Sequence, residues 1–395
     1  MTELRLLSPT SRSSPHDNVG LGCQSCPFLP DCGGVFSDYD CLGSCCGDPE
    51  NCRIACPRSH HFGEVVQDSG GWNRRTPTLK QDHPRSFPLY IPCIQNGSQR
   101  AEPLSVPIAA VPTFSVTRGA GRQRLASAVE LREQFGLSRD TRLILLSVKD
   151  DPDLETYWKY SELRSLPKYI ANHGVEHITA PNFSFANNVP RTEHLVNLAR
   201  SLRCIEEFSA AGLSVIPHLN ACNERQWDFW SDFLKEHPEI TVVAKEFQTG
   251  AAIPRIAQWH IEELQRLQEK IGRGLHLLAV AGRRHLGLLL RLERFTIIDS
   301  VPFVRTVKRR RMSREDGRWK VCRTRRGEPL DGLLRHNVEV YSTGIEEAVM
   351  KRRQYLLPFD VELLPQTNNE MGAPSNRIDV ESFGQMSLLG LGASA

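Results

Sequence analysis

In this chain of 395 residues, several apolar segments end in polar side chains suited to chemistry. TRLILLSV is followed by Asp150 and Asp151, HITAPNFS carries Asn182 and Ser184, and SVIPHLN carries His218 and Asn220. ITVVAKEFQTG carries Lys245, Glu246, Gln248 and Gly250, LHLLAVAG ends in Gly282, and FTIID ends in Asp299. Acids and amides of this kind can hydrogen-bond the edge of a planar heterocycle. A carboxylate can also attack an anomeric carbon and carry a covalent glycosyl intermediate. Asp299 is the candidate nucleophile. Ser300, Val301 and Pro302 follow it, then Arg305, Lys308, Arg309, Arg310 and Arg311, cations suited to a nucleic-acid backbone. The plainer role for Asp299 or Ser300 is to cap a helix starting at Pro302, a common pairing.

The second chemical group is thiolate. Eight of the 12 cysteines lie in one short segment: Cys23, Cys26, Cys32, Cys41, Cys45, Cys46, Cys52 and Cys56, with His60 and His61 just beyond. In a reducing compartment such density indicates metal rather than disulfides. Zinc and iron–sulfur sites both use a close cysteine pair followed by further thiolates. Eight thiolates at irregular spacing suit a [4Fe–4S] cluster better than a plain zinc ribbon, and zinc is the alternative. A CxxxCxxC triplet of the radical S-adenosylmethionine type is absent from the sequence.

These groups need elements to position them. From about residue 124 apolar segments alternate with amphipathic stretches. Helices are expected at Leu125–Phe135, Leu154–His173, Thr192–Ala211, Glu224–Glu236 and Pro254–Ile271, each leading into one of the strands above. Alternation of this kind predicts a parallel sheet. Six strands, with the lead-in segments PLYIPCI and VPIAAVPTFSV, are enough to close a (β/α)8 barrel of the TIM type; a doubly wound open sheet is the alternative. In such barrels the chemistry sits at the C-terminal ends of the strands. No glycine-rich phosphate loop of the dinucleotide or Walker type follows any strand. The organisation reads as a disordered 1–20, a metal module over 21–63 and lead-in strands and linker over 64–123. A barrel core over 124–312, a basic extension over 313–363 containing HNVEVYS and a helix at about Ile345–Leu357, and a mobile tail over 364–395 follow.

The net charge of +3 says little about partners, but its distribution says more. Between Arg305 and Arg326 eleven Lys or Arg stand against Glu315 and Asp316. Such a block is a solvated face or a nucleic-acid patch, and it argues against a small-molecule glycosidase. No apolar run approaches the roughly 20 residues of a membrane helix. The N-terminus lacks the apolar core of a signal peptide, so a cytoplasmic protein without a membrane partner is expected.

The order of these strand ends resembles the tRNA-guanine transglycosylase superfamily, (β/α)8 enzymes that exchange guanine for a 7-deazaguanine. The stretch LLAVAG…TIIDSVPFVR is similar to the family's Gly-containing loop followed by a strand ending in the nucleophilic Asp, a small residue, a Pro and arginines. The resemblance covers roughly residues 140–312. It places Asp150 or Asp151 at the family's first base-binding Asp and Asn182 at its second. His218 or Asn220 stands at its Gln, and Lys245 to Gly250 at its Gly-rich loop. Asn182 in place of an acid changes the base edge being read. The family's zinc motif after the nucleophile is missing, with only Cys322 in that region. VVQDSGGW at Val65 to Trp72 is similar to the family's Asp-Ser-Gly-Gly loop but lies too far N-terminal for this barrel. The DNA-modifying branch of bacteria and phages is the better match. The resemblance therefore implies a base-exchange glycosyltransferase acting on DNA, with RNA as the other possible nucleic acid and a free 7-deazaguanine base as co-substrate. The competing reading is a metal-containing nucleic-acid-binding or regulatory protein with a non-catalytic barrel. Gln385, Leu388 and Leu389 in the tail are similar to peptides that dock on the replication sliding clamp.

Overall fold

Eight apolar segments form parallel strands. β1 (Tyr90–Pro92) and β2 (Ile108–Pro112) come first, followed by a small antiparallel pair, β3 (Thr117–Arg118) with β4 (Arg122–Gln123). Then come β5 (Arg142–Leu146), β6 (His177–Thr179), β7 (Val215–Ile216), β8 (Val242–Glu246), β9 (His276–Val280) and β10 (Arg294–Asp299). The computed structural model that gives this arrangement describes residues 61–70, 79, 81 and 87–355, apart from 98–99, 119–121, 124–126, 162–164, 186–188, 190, 316 and 326.

One sheet has the order β1-β10-β9-β8 and the other β2-β5-β6-β7, and all neighbours within them are parallel. Single parallel bridges join the sheets at both edges, Cys93 with Ala110 and His218 with Ala244. The fold is therefore α/β with parallel sheets. Side chains alternate between faces along each strand. Ile91, Ala110, Ile144, Ala244, Val280 and Ile298 share one buried cluster. The residues between them, such as Leu145, Val243 and Ile297, are also buried. Burial on both faces is why these strands read as continuous apolar runs.

The helices are α1 (Phe62–Asp68), α2 (Ala128–Gln134), α3 (Asp151–Ser161), α4 (Leu166–Ala171), α5 (Arg191–Ala210), α6 (Glu224–Glu236), α7 (Pro254–Ile271), α8 (Leu286–Leu289) and α9 (Val301–Val307). α6 buries Trp227, Trp230 and Leu234, a stripe of i, i+3 and i+7. α7 begins at Pro254 and ends before Gly272, whose φ of +68° suits a residue without Cβ. Both helices match the sequence-based bounds. The single helix expected over Leu154–His173 is instead two. Pro167, the second residue of α4, lacks the amide a continuous helix would need, and its ring would crowd the preceding turn.

After α9 the chain forms a hairpin, β11 (Arg310–Glu315) with β12 (Arg318–Arg323), and then α10 (Leu330–Tyr355). HNVEVYS lies inside α10, which starts well before Ile345 because Leu330, Leu333, Leu334, Val338 and Tyr341 continue the buried stripe toward the N-terminus. The lead-in segments PLYIPCI and VPIAAVPTFSV supply β1 and β2, as their apolar runs suggest. No helix among the described residues is long and apolar enough to cross a membrane.

The described chain divides into two compact units. The first contains α1, Phe183–Glu206 with most of α5, and Asn220–Asn223. Within it Phe62 packs on Val196, and the Arg203 guanidinium donates to the Asp68 carbonyl at 2.9 Å. The second contains the eight strands and the remaining helices.

At the N-terminal ends of the strands, Phe87 sits edge-on to His177 and His276 at 5.6 and 5.3 Å. Thr296 donates to the Pro88 carbonyl at 2.7 Å, so the His276 Nε2–H must donate to the Thr296 hydroxyl at 2.9 Å. Burial, then the Arg294 charge, holds His276 down to about 4 from an ordinary value of 6.5. A depressed base stabilises the fold fully above the unfolded value, and that stability is lost as pH falls toward the folded one. The full gap corresponds to about 3 kcal/mol. Urea unfolding at pH 7 and at pH 4.5 should therefore show a smaller acid loss for His276→Gln than for the parent, by about 2–3 kcal/mol. Equal losses would refute the assignment.

Candidate functional site

Asp299 is the last residue of β10 and only 5% exposed. Ile298 belongs to the cluster inside the strand order, so alternation turns Asp299 toward the other face. There its Oδ1 accepts from the Val301 amide at 3.0 Å, the capping contact that the DSVP sequence suggests. Its Oδ2 accepts from the Tyr341 hydroxyl of α10 at 2.7 Å. Burial pushes the carboxyl above its ordinary value, against the Tyr341 hydrogen bond, the Val301 amide and the Arg283 charge.

The surroundings are aromatic and cationic. Tyr90 donates to the Asp299 carbonyl at 3.2 Å and meets the Tyr341 ring edge-on at 5.0 Å. The Cys93 amide donates to the same carbonyl at 2.9 Å, and burial with the nearby Asp299 charge pushes its thiol up to about 12. Arg283 lies over the rings of Trp319 and Tyr341 at 4.9 and 5.3 Å. Burial, then the Asp299 charge, also drives the Tyr341 phenol well above its ordinary value. A carboxylate so placed is held by two donors in a site of low polarity, with a guanidinium close by.

No protein-family model and no curated protein matches the chain.

The other sequence-selected residues divide by position. Gly282 follows Ala281, which adopts φ +57°, and a Cβ there would stand 2.8 Å from Ala279 Cβ. Gly282 thus permits the turn that projects Arg283 toward Tyr341. Asp150 pairs with Lys149 at 3.6 Å and its carbonyl accepts the first amides of α3, while Asp151 is exposed in the first turn of that helix. Asn182 ties two strand ends together, its Oδ1 accepting from the Lys149 backbone amide at 2.9 Å and its own backbone amide donating to the Ser147 carbonyl. His218 is buried and forms the bridge to Ala244. Asn220 belongs to the first unit, where it donates to the Phe183 carbonyl at 2.8 Å. Glu246 closes a local turn, accepting from the Gln248 amide at 2.9 Å and the Thr249 hydroxyl at 2.6 Å. Gly250 opens the short helical turn before α7.

Arg305 is on α9, Lys308 and Arg309 form the turn after it, and Arg310 and Arg311 begin β11. Lys308, Arg309, Arg310, Arg318, Lys320 and Arg323 are exposed. Arg311 pairs with Glu328, Lys320 with Glu315 and Arg314 with Glu347. Arg310 faces Arg323 directly across the hairpin. Like charges so placed disfavour the pairing, and an anion between them would reverse the sign.

The eight cysteines from Cys23 to Cys56 and the tail with Gln385, Leu388 and Leu389 lie outside the described residues. Among the described residues no group of three or more metal-binding side chains occurs. The sequence reading missed Tyr341, Tyr90 and Arg283. Arg283 had a signal, its position just past a strand end. Tyr341 had none, because a tyrosine on a helical stripe reads as core.

Proposed function

We propose that this chain is a base-exchange glycosyltransferase that replaces guanine in DNA by a 7-deazaguanine, built on a (β/α)8 barrel with Asp299 as nucleophile. The observation that carries the reading is a buried carboxylate at the C-terminal end of a strand, held by Tyr341 and the Val301 amide beside Arg283. The eight parallel strands and their two edge bridges support the barrel. In the first step Asp299 forms a bond to the sugar C1′. Guanine leaves with the electrons of the glycosidic bond and takes up a proton. In the second step the incoming base loses a proton, forms the new bond to C1′ and releases the carboxylate. The target base must first leave the stack, at a few kcal/mol, roughly. The test is nucleoside mass spectrometry of guanine-containing DNA and of tRNA incubated with the protein and a labelled 7-deazaguanine. Label in DNA alone is the expected result. Label in tRNA alone would transfer the activity to RNA, and label in neither would refute the chemistry.

A second reading has its own observation. Both oxygens of Asp299 are already engaged, and the strand's alternation turns it away from the interior cluster. On that reading Asp299 is the cap of α9 and the protein only binds nucleic acid. Binding is common to both readings and rests on the hairpin. Replacing Lys308, Arg310 and Arg323 with Ala should reduce the slope of log K against log salt by about 0.7–0.9 for each phosphate no longer neutralised. An unchanged slope would mean these side chains only solvate the hairpin.

A further inference from the structure

We propose that α10 is a latch closed over Asp299, and that DNA bound on the β11–β12 hairpin opens it by drawing Arg283 out from the rings of Trp319 and Tyr341 to pair with a phosphate. The inference rests on the base-exchange reading, because a nucleophile needs an open site and a helix cap does not.

A carboxylate that attacks a sugar must bring one oxygen to within about 3–3.5 Å of the carbon. Asp299 is buried, its Oδ1 accepts from the Val301 amide, and its Oδ2 accepts from the Tyr341 hydroxyl at 2.7 Å. Tyr341 is itself buried, so it covers the oxygen that would have to react. For base exchange this is a closed state, and Tyr341 is the contact that must break.

Tyr341 is tied to the hairpin. Asn337, fully buried on α10, accepts from the Met312 amide at 2.8 Å and donates to the Arg310 carbonyl and the Thr306 hydroxyl, both at 2.9 Å. His336 donates to the Met312 carbonyl at 2.9 Å. Trp319 of β12 packs on the Tyr341 ring at 5.1 Å, and a Cβ at Gly344 would stand 2.6 Å from Trp319. Displacing the hairpin therefore carries Tyr341 with it. Polar ties from α10 to the strand body near its two ends are exposed, Arg335 with Glu102 at 3.2 Å and Arg353 with the Glu293 carbonyl at 3.5 Å. Exposed ties of this kind hold weakly.

A ligand opens a closed state only if it binds the open one better. The exposed Lys308, Arg310, Lys320 and Arg323 can meet phosphates in either state. Arg283 cannot, because its guanidinium lies over Trp319 and Tyr341 at 4.9 and 5.3 Å. Freed from the rings, it stands on the turn after β9 with its charge beside Asp299, where the target nucleotide must come. A guanidinium pairs with phosphate in bidentate fashion. The open state thus gains a phosphate contact that the closed state lacks.

The test uses the full-length protein and a guanine-containing DNA duplex, with no free base added. Tyr341→Phe keeps the ring and removes the hydroxyl that holds Asp299. It should bind the duplex about tenfold more tightly or better, since a hydrogen bond to a charged group no longer favours the closed state. A merely structural Tyr341 predicts equal or weaker binding. Arg283→Gln should reduce the slope of log K against log salt by about 0.9, the share of one phosphate. In the parent, the duplex should speed amide hydrogen exchange over residues 338–345 of α10, where binding to a rigid surface would slow it. A parent that binds no duplex, exchange there unchanged or slowed, a Tyr341→Phe affinity no better than the parent's, or an unchanged slope in Arg283→Gln would each overturn the latch. Transfer of a labelled base into DNA is scored separately. Transfer with any of those results strikes the latch alone, whereas faster exchange and tighter binding without transfer strike the chemistry and keep the latch.

Discussion

Asp299→Asn should lower base exchange by about 10⁴-fold or more, the scale of losing a nucleophile, while the protein stays folded. The Asn oxygen can still accept from the Val301 amide, and its NH2 can donate to a Tyr341 hydroxyl that has turned to accept. No cavity opens, so unfolding free energy at neutral pH should change by no more than about 1 kcal/mol. The pH behaviour gives a second readout. A carboxyl whose folded value is raised stabilises the native state fully below its unfolded value of about 3.9. That contribution is lost as pH rises through the folded value, and in Asp299→Asn it should be absent. The nucleophile must also be ionised, so the acidic limb of the rate should lie above the ordinary carboxylate range. Tyr341→Phe removes a hydrogen bond that holds this value down and should move the limb to higher pH. A parent-like rate in Asp299→Asn would leave the carboxylate as the cap of α9 and favour the binding-only reading.

The strands and helices were legible because their signals are local. LHLLAVAG and FTIID announce β9 and β10 by apolar run and length, and Glu224–Glu236 and Pro254–Ile271 match α6 and α7 at both ends. The DSVP capping geometry was legible for the same reason. What surrounds Asp299 was not. Tyr341 reaches it across 42 positions and Tyr90 across 209, and neither spacing leaves a pattern in the sequence. Asn182 and Glu246 sit where the chemistry was expected, yet their hydrogen bonds tie strand ends and turns. A polar residue after a strand has two uses, and sequence does not separate them. The like-charged pair of Arg310 and Arg323 shows the converse. The basic run was visible, but their direct opposition depends on the register of a hairpin turned at Gly317, whose φ is +74°.

Gln81→Ala should destabilise the protein by about 3 kcal/mol or more, although Gln81 stands alone in a polar stretch with no pattern around it. Its side chain takes the place of a strand segment. Nε2 donates to the Val215 carbonyl at 2.9 Å and the Val242 carbonyl at 3.0 Å. Oε1 accepts from the Thr241 amide at 2.7 Å and the Val242 amide at 3.0 Å. These groups lie at the starts of β7 and β8, and among the described residues one backbone bridge, His218 with Ala244, joins the two sheets beyond them. Truncation would leave backbone donors and acceptors unpaired in a buried place, at about 1–3 kcal/mol each where water cannot reach them. Gln81→Glu is the informative companion. It keeps the volume and the acceptor, but above its pKa it offers no donor to the two carbonyls and buries a charge. It should therefore be as damaging as Ala at pH 8 and recover part of the loss at low pH, where a protonated carboxyl can donate once. Denaturant unfolding of both variants, with hydrogen exchange at the Thr241 and Val242 amides, reads the effect directly. Parent-like stability and protection in Gln81→Ala would mean that the seam between β7 and β8 closes without this side chain, and that the one bridge at His218 is enough.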